Sequence, residues 1–155
     1  MIIQPQQLAG LRSKHHDQKI VLTSGTFDLF HVGHLRYLQA VKTFGNIVVV
    51  LLSGDERVKT RKGPTRPIYP EKERAEILDA LKIVDYVILD PGPSEEESFY
   101  KTIITSLNPD MYVTDGPDPR FLNILDTENF VILPRVADTG KFGSTSAIID
   151  YISKG

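Results

Sequence analysis

The sequence contains no cysteine, which removes disulfides, thiolate nucleophiles and cysteine-based zinc sites together. An excess of charge of one sign is also lacking: 18 Lys and Arg stand against 20 Asp and Glu, for a net charge of −2. A chain so balanced has no broad basic footprint for nucleic acid, so any anion site has to be local. No apolar run approaches the roughly 18 residues of a membrane span. The start, Met1-Ile2-Ile3-Gln4-Pro5, carries no basic region followed by a long apolar core. These absences predict a soluble, cytoplasmic protein with neither nucleic acid nor membrane as a partner. What is present, 155 residues at 41% hydrophobic content, predicts one globular domain over residues 1–155 that buries a full core without covalent staples.

One stretch organises the rest: Gly25-Thr26-Phe27-Asp28-Leu29-Phe30-His31-Val32-Gly33-His34. It follows the apolar run 19–24, which reads as a buried strand. It precedes Leu35, Leu38, Ala40, Val41 and Phe44 at near-helical spacing, predicting a helix over 32–44. A strand, a glycine turn and a helix start make a phosphate site, because the first helical turn leaves N–H groups unpaired and carries partial positive charge. Gly25 relieves the turn of a Cβ and Gly33 admits a ligand close to the backbone. His31 and His34, three apart, share one face and aim two imidazoles at one bound group.

Residues 4–15 read as a short amphipathic helix, with Leu8 and Leu11 inward and His15 and His16 as exposed residues at its end. The β-branched run 47–52 suits a strand covered on both faces. Asp55 follows it, at the edge where open α/β sheets bind ligands. The segment 57–67 reads as a basic loop, either solvated or closing over a polyphosphate. A helix over 71–81 contains Arg74, a phosphate clamp or a surface charge. Strand 84–89, helix 95–107, strand 111–114, the loop 115–120 with Asp115, and strand 130–133 follow. Asp55 and Asp115 are candidate acceptor-binding residues. A glycine-containing loop, 134–143, leads to Ser144-Thr145-Ser146 at a last helix start, where hydroxyls cap the helix and can also donate to phosphate. The alternation predicts an α/β, Rossmann-like open parallel sheet of five strands with helices on both faces.

The phrase Gly-Thr-Phe-Asp-x-x-His-x-Gly-His, directly after a strand and opening a helix, resembles the nucleotidyltransferases of the cytidylyltransferase-like family, over nearly the whole chain. Residues 7–38 and 62–85 look like the adenylyltransferase domain of ADP-heptose synthases. Ser53, Asp55-Glu56, Leu133-Pro134-Arg135 and Ser144-Thr145-Ser146 look more like glycerol-3-phosphate cytidylyltransferases.

The resemblance implies transfer of CMP or AMP from CTP or ATP to a small phosphorylated acceptor, such as a sugar or polyol phosphate, with release of pyrophosphate. It implies that His31 and His34 contact the triphosphate, that Lys59 or Lys62 reaches the phosphates and the acceptor, and that the backbone around Gly25, Thr26, Phe27 and Gly33 cradles the nucleotide. Arg74 matches the family's helix arginine, and Arg135 with Ser144, Thr145 and Ser146 its C-terminal phosphate signature. Magnesium would ride on the phosphates and need few protein ligands, and the family resemblance implies a homodimer. The rival reading is a nucleotide-binding regulator that kept the fold without turnover.

Overall fold

The computed structural model describes residues 1–92, 96–122, 124, 127–133 and 143–154. The chain order is β1 (Ile2–Ile3), α1 (Leu8–Lys14), β2 (Ile20–Gly25), α2 (Val32–Lys42), β3 (Ile47–Leu52), α3 (Asp55–Lys62), α4 (Glu71–Asp79) and β4 (Tyr86–Leu89). Then come α5 (Glu96–Leu107), β5 (Met111–Thr114), α6 (Pro119–Leu122), β6 (Phe130–Ile132) and α7 (Thr145–Ser153). All strand pairs are parallel, in the order β1-β4-β3-β2-β5-β6.

The sheet therefore has six strands where the sequence pattern predicts five. The extra one is β1, whose Ile2 and Ile3 pair with Val87 and Ile88. Two residues are too few to show a period of two, and only the edge of β4 makes them a strand. A 3-10 turn over Pro5–Gln7 then separates β1 from α1, so the helix expected over 4–15 is shorter. A second correction concerns the basic loop: residues 55–62 are helical, with Asp55 and Glu56 in the first turn and Lys59, Arg61 and Lys62 in the last. That charge order complements the helix dipole, a signal that the run of positive charge hid.

The run 47–52 packs as its composition requires. Ile47, Val49 and Leu51 enter one buried cluster with Leu8 and Leu11 of α1 and Phe99, Ile103 and Leu107 of α5. Val48, Val50 and Leu52 enter another with Leu38 and Val41 of α2 and Ala75 and Leu78 of α4. Helices thus cover both faces. From β2 the chain runs outward through β3 to β4 and then returns to place β5 against the other side of β2. The C-terminal ends of β2 and β5 form the switch point where such sheets open a crevice. No helix among the described residues is long and apolar enough to cross a membrane.

Candidate active site

The turn after β2 is tight. A Cβ on Gly25 would lie 2.6 Å from the Phe27 ring, and Phe27 and Leu29 adopt φ of 49° and 45°, a region costly for residues with side chains. Asp28, buried between them, holds the turn in place. Its carboxylate accepts hydrogen bonds from the backbone N–H of Ile68 and Tyr69, each at 3.0 Å, and from Arg66 Nε at 2.9 Å. Burial alone would raise its pKa; the two N–H groups and the Arg66 guanidinium outweigh it and hold the group below the ordinary carboxylate range.

Beyond this turn, His31 is the N-cap of α2, with Nδ1 accepting from Gly33 N at 3.1 Å. That bond leaves the proton of the neutral ring on Nε2, and burial lowers the pKa of His31, favouring the neutral form. The His31 and His34 rings stack with centroids 3.8 Å apart. A Cβ on Gly33 would come 2.5 Å from the Gly143 carbonyl and 2.9 Å from the His31 ring, so only glycine lets α2 and the approach to α7 meet here. Thr145 Oγ1 donates to the Asp28 carbonyl at 2.7 Å, and Ser144 Oγ caps α7 by accepting from Ala147 N at 3.1 Å. The N-termini of α2 and α7 are thereby fastened to one turn.

These elements border a cleft of about 930 Å³ at the C-terminal end of the sheet. Of the residues singled out in the sequence, Gly25, Thr26, Phe27, His31, Gly33, His34, Lys62, Asp115, Ser144, Thr145 and Ser146 line it. Three others lie elsewhere. Lys59 pairs with Glu56 at 2.7 Å on the exposed side of α3. Arg74 is fully buried, donating to the carbonyls of Thr26, Ser53 and Tyr69 at 2.6, 2.9 and 2.9 Å and to Asp55 Oδ1 at 2.7 Å. It fastens the ends of β2 and β3, and Asp55 is its counter-ion rather than part of the cleft wall. Arg135 lies outside the described residues.

Sequence reasoning missed a polar network on the α5 side of the cleft. Asp118, at the end of the β5–α6 loop, accepts from Tyr112 OH at 2.6 Å and from Arg120 Nη2 at 2.6 Å. Arg120 holds it below the ordinary carboxylate range against the opposing effect of burial. Asp90, after β4, accepts from Tyr100 OH at 2.6 Å and pairs with Arg57 Nε at 2.6 Å. The Arg57 and Arg120 guanidinium carbons stand 5.6 and 5.2 Å from the Tyr100 ring centroid. The sequence signal was weak: the partners are spread over α3, α5, α6 and the ends of β4 and β5, and Asp90-Pro91-Gly92 reads simply as a turn. Among the described residues, no group of three or more His, Asp or Glu side chains is placed to hold a metal ion.

Residues 22–149 match the family described as cytidylyltransferase-like. The chain belongs to that family. This family member is 43% identical over 141 residues to the bifunctional protein HldE of Helicobacter pylori strain Shi470, covering 91% of the chain and 29% of the relative. It is 44% identical over 105 residues to the HldE of Citrifermentans bemidjiense, covering 68% and 20%. The chain thus spans less than a third of the length of these curated relatives. Among solved structures, a lipopolysaccharide core biosynthesis protein from Thermoplasma volcanium GSS1 superposes with a TM-score of 0.60 at 24% identity, over 77% of this chain and 98% of that one. The likeness is one of fold.

Proposed function

We propose that this cytidylyltransferase-like chain transfers a nucleotidyl group from ATP or CTP to a small phosphorylated acceptor, a sugar or polyol phosphate, and releases pyrophosphate. The observation that carries the reading is the stacked His31–His34 pair at the start of α2, beside Gly33 and facing the cleft with the capped N-terminus of α7. An acceptor phosphate oxygen attacks the α-phosphorus, and the bond from that phosphorus to the bridging oxygen of the β-phosphate breaks. The leaving group is pyrophosphate. The nucleophile is ionised at neutral pH, so no general base is needed and catalysis is positioning plus electrostatics.

His31, with its neutral-form proton on Nε2, donates toward the charge that builds on the transferring phosphoryl group, and His34 stands against it as the second donor. The helix N-termini add N–H groups and positive potential. Lys62 and Arg61, which line the cleft, neutralise the triphosphate. Magnesium would arrive on the nucleotide, needing few protein ligands. The β5–α6 loop, which lines the same cleft, takes the nucleoside end, and its Asp115 the acceptor.

The test is thermal unfolding with magnesium and ATP, CTP, GTP or UTP. A ligand at 100 times its dissociation constant adds about 2.7 kcal/mol, enough at ~2–4 °C per kcal/mol for a clear rise in Tm. Selective stabilisation by CTP would direct an acceptor screen to polyol phosphates, and selectivity for ATP to sugar phosphates. No stabilisation by any nucleotide overturns the proposal.

A further inference from the structure

Arg120 borders the cleft and invites reading as a phosphate clamp. Its hydrogen bonds argue otherwise. Nε donates to Asp118 Oδ1 at 2.7 Å, and Nη2 to Asp118 Oδ2 at 2.6 Å and Ser24 Oγ at 3.2 Å. Nη1 donates to Asp90 Oδ2 at 3.3 Å and Tyr100 OH at 3.2 Å. A guanidinium has five N–H donors, and here each has a partner inside the protein.

Three of these partners lie at separate strand ends. Ser24 is in β2, one residue before the glycine turn; Asp118 ends the loop after β5; Asp90 follows β4, with β3 and β2 between it and β5. Ser24 and Asp118 are also linked without Arg120, by Ser24 Oγ donating to Asp118 Oδ2 at 3.2 Å and through Tyr112 OH at 2.7 and 2.6 Å; Arg120 adds the grip on both Asp118 oxygens and the tie to Asp90. The planar fork holds donors toward all three ends in one fixed geometry; a lysine ammonium has three donors on a flexible stem and cannot reproduce the bidentate grip on Asp118.

We infer that Arg120 is a positioning residue for nucleotide binding, setting the separation between the glycine turn after β2 and the β5–α6 loop through Ser24 and Asp118. The inference rests on the nucleotidyl-transfer reading, and it makes the fit of the nucleoside end, rather than the grip on the phosphates, depend on Arg120.

The experiment compares calorimetric titrations of wild type, Arg120→Lys and Tyr100→Phe with Mg-ATP, Mg-CTP and inorganic pyrophosphate. Pyrophosphate probes the histidine and α7 end alone, whereas a nucleotide spans the cleft. Arg120→Lys should weaken binding of the preferred nucleotide by roughly 10-fold, about 1.4 kcal/mol, with pyrophosphate affinity unchanged. Tyr100→Phe removes one partner of Nη1 and should produce a smaller loss with the same selectivity. Equal losses for nucleotide and pyrophosphate, or a fall in Tm with both affinities intact, would make Arg120 merely structural and overturn the inference. If Arg120→Lys fails to fold, Tyr100→Phe decides, and an unchanged nucleotide affinity in that variant overturns it. A wild type that binds neither nucleotide removes the proposed function itself, a result distinct from these.

Discussion

His31 has two tasks at once, capping α2 through Nδ1 and facing the cleft. Substitutions can separate them. His31→Ala should lower turnover by roughly 10²–10³, as loss of a preorganised donor does, and stability by about 1 kcal/mol for the lost cap. His31→Asn keeps a capping oxygen, so urea unfolding should recover most of that stability while turnover stays low. Recovery of both would reduce His31 to a cap. Asp28 allows a pH test. Its folded pKa and that of Asp118 lie below the unfolded value of roughly 3.9. The unfolded chain therefore binds protons more readily, and the stability these groups confer is complete above that pH and lost as pH falls through their folded values. Asp28→Asn should cost about 3 kcal/mol at pH 7, the lower end for breaking a buried ion pair, and flatten the acid limb of stability against pH. An acid limb unchanged from wild type would contradict it. The two imidazoles and both glycines could be read from spacing alone. The task of Asp28 could not, because its partners lie some forty residues on, at Arg66, Ile68 and Tyr69.

At the scale of elements, α3 shows what a helix does to a run of charge. In a loop, Lys59 and Lys62 would be equivalent candidates; in α3 Lys59 has Glu56 one turn back as its partner, while Lys62 is the last residue of the helix. Lys62 lines the cleft, while Lys59 is half-exposed and paired with Glu56. Lys62→Gln should therefore weaken magnesium triphosphate binding several-fold, with a loss that shrinks at high salt, whereas Lys59→Gln should leave it unchanged. Titrations of both variants at two ionic strengths check this, and equal effects would mean that α3 rotates or unwinds on binding. The α7 terminus carries a similar division of labour. Ser144 caps the helix and Thr145 ties it to Asp28, so hydroxyls that the sequence presents as three equal phosphate donors have structural partners in two cases.

For the whole molecule, both faces of one sheet are buried against helices in clusters that share β2 and β3. Such shared strands predict one cooperative unfolding transition. Far-UV circular dichroism and tyrosine fluorescence should give coincident urea curves, and Mg-nucleotide should shift both together. Two separated transitions would mean that the segments flanking the cleft fold independently of the sheet.

The alternation of elements, the covering of both sheet faces and the strand, glycine turn and helix start at β2 and α2 were determined by the sequence alone. All three follow from local rules: periodicity, β-branching, glycine turns and unpaired helix termini act within a few residues. Tertiary structure decided the sixth strand, because Ile2 and Ile3 become β1 only by pairing with β4. It also turned Arg74 inward onto three carbonyls and Asp55, and joined Ser24, Asp90 and Asp118 through Arg120. In each case the deciding partner is remote in the chain, and a polar side chain goes wherever its buried donors and acceptors can all be satisfied.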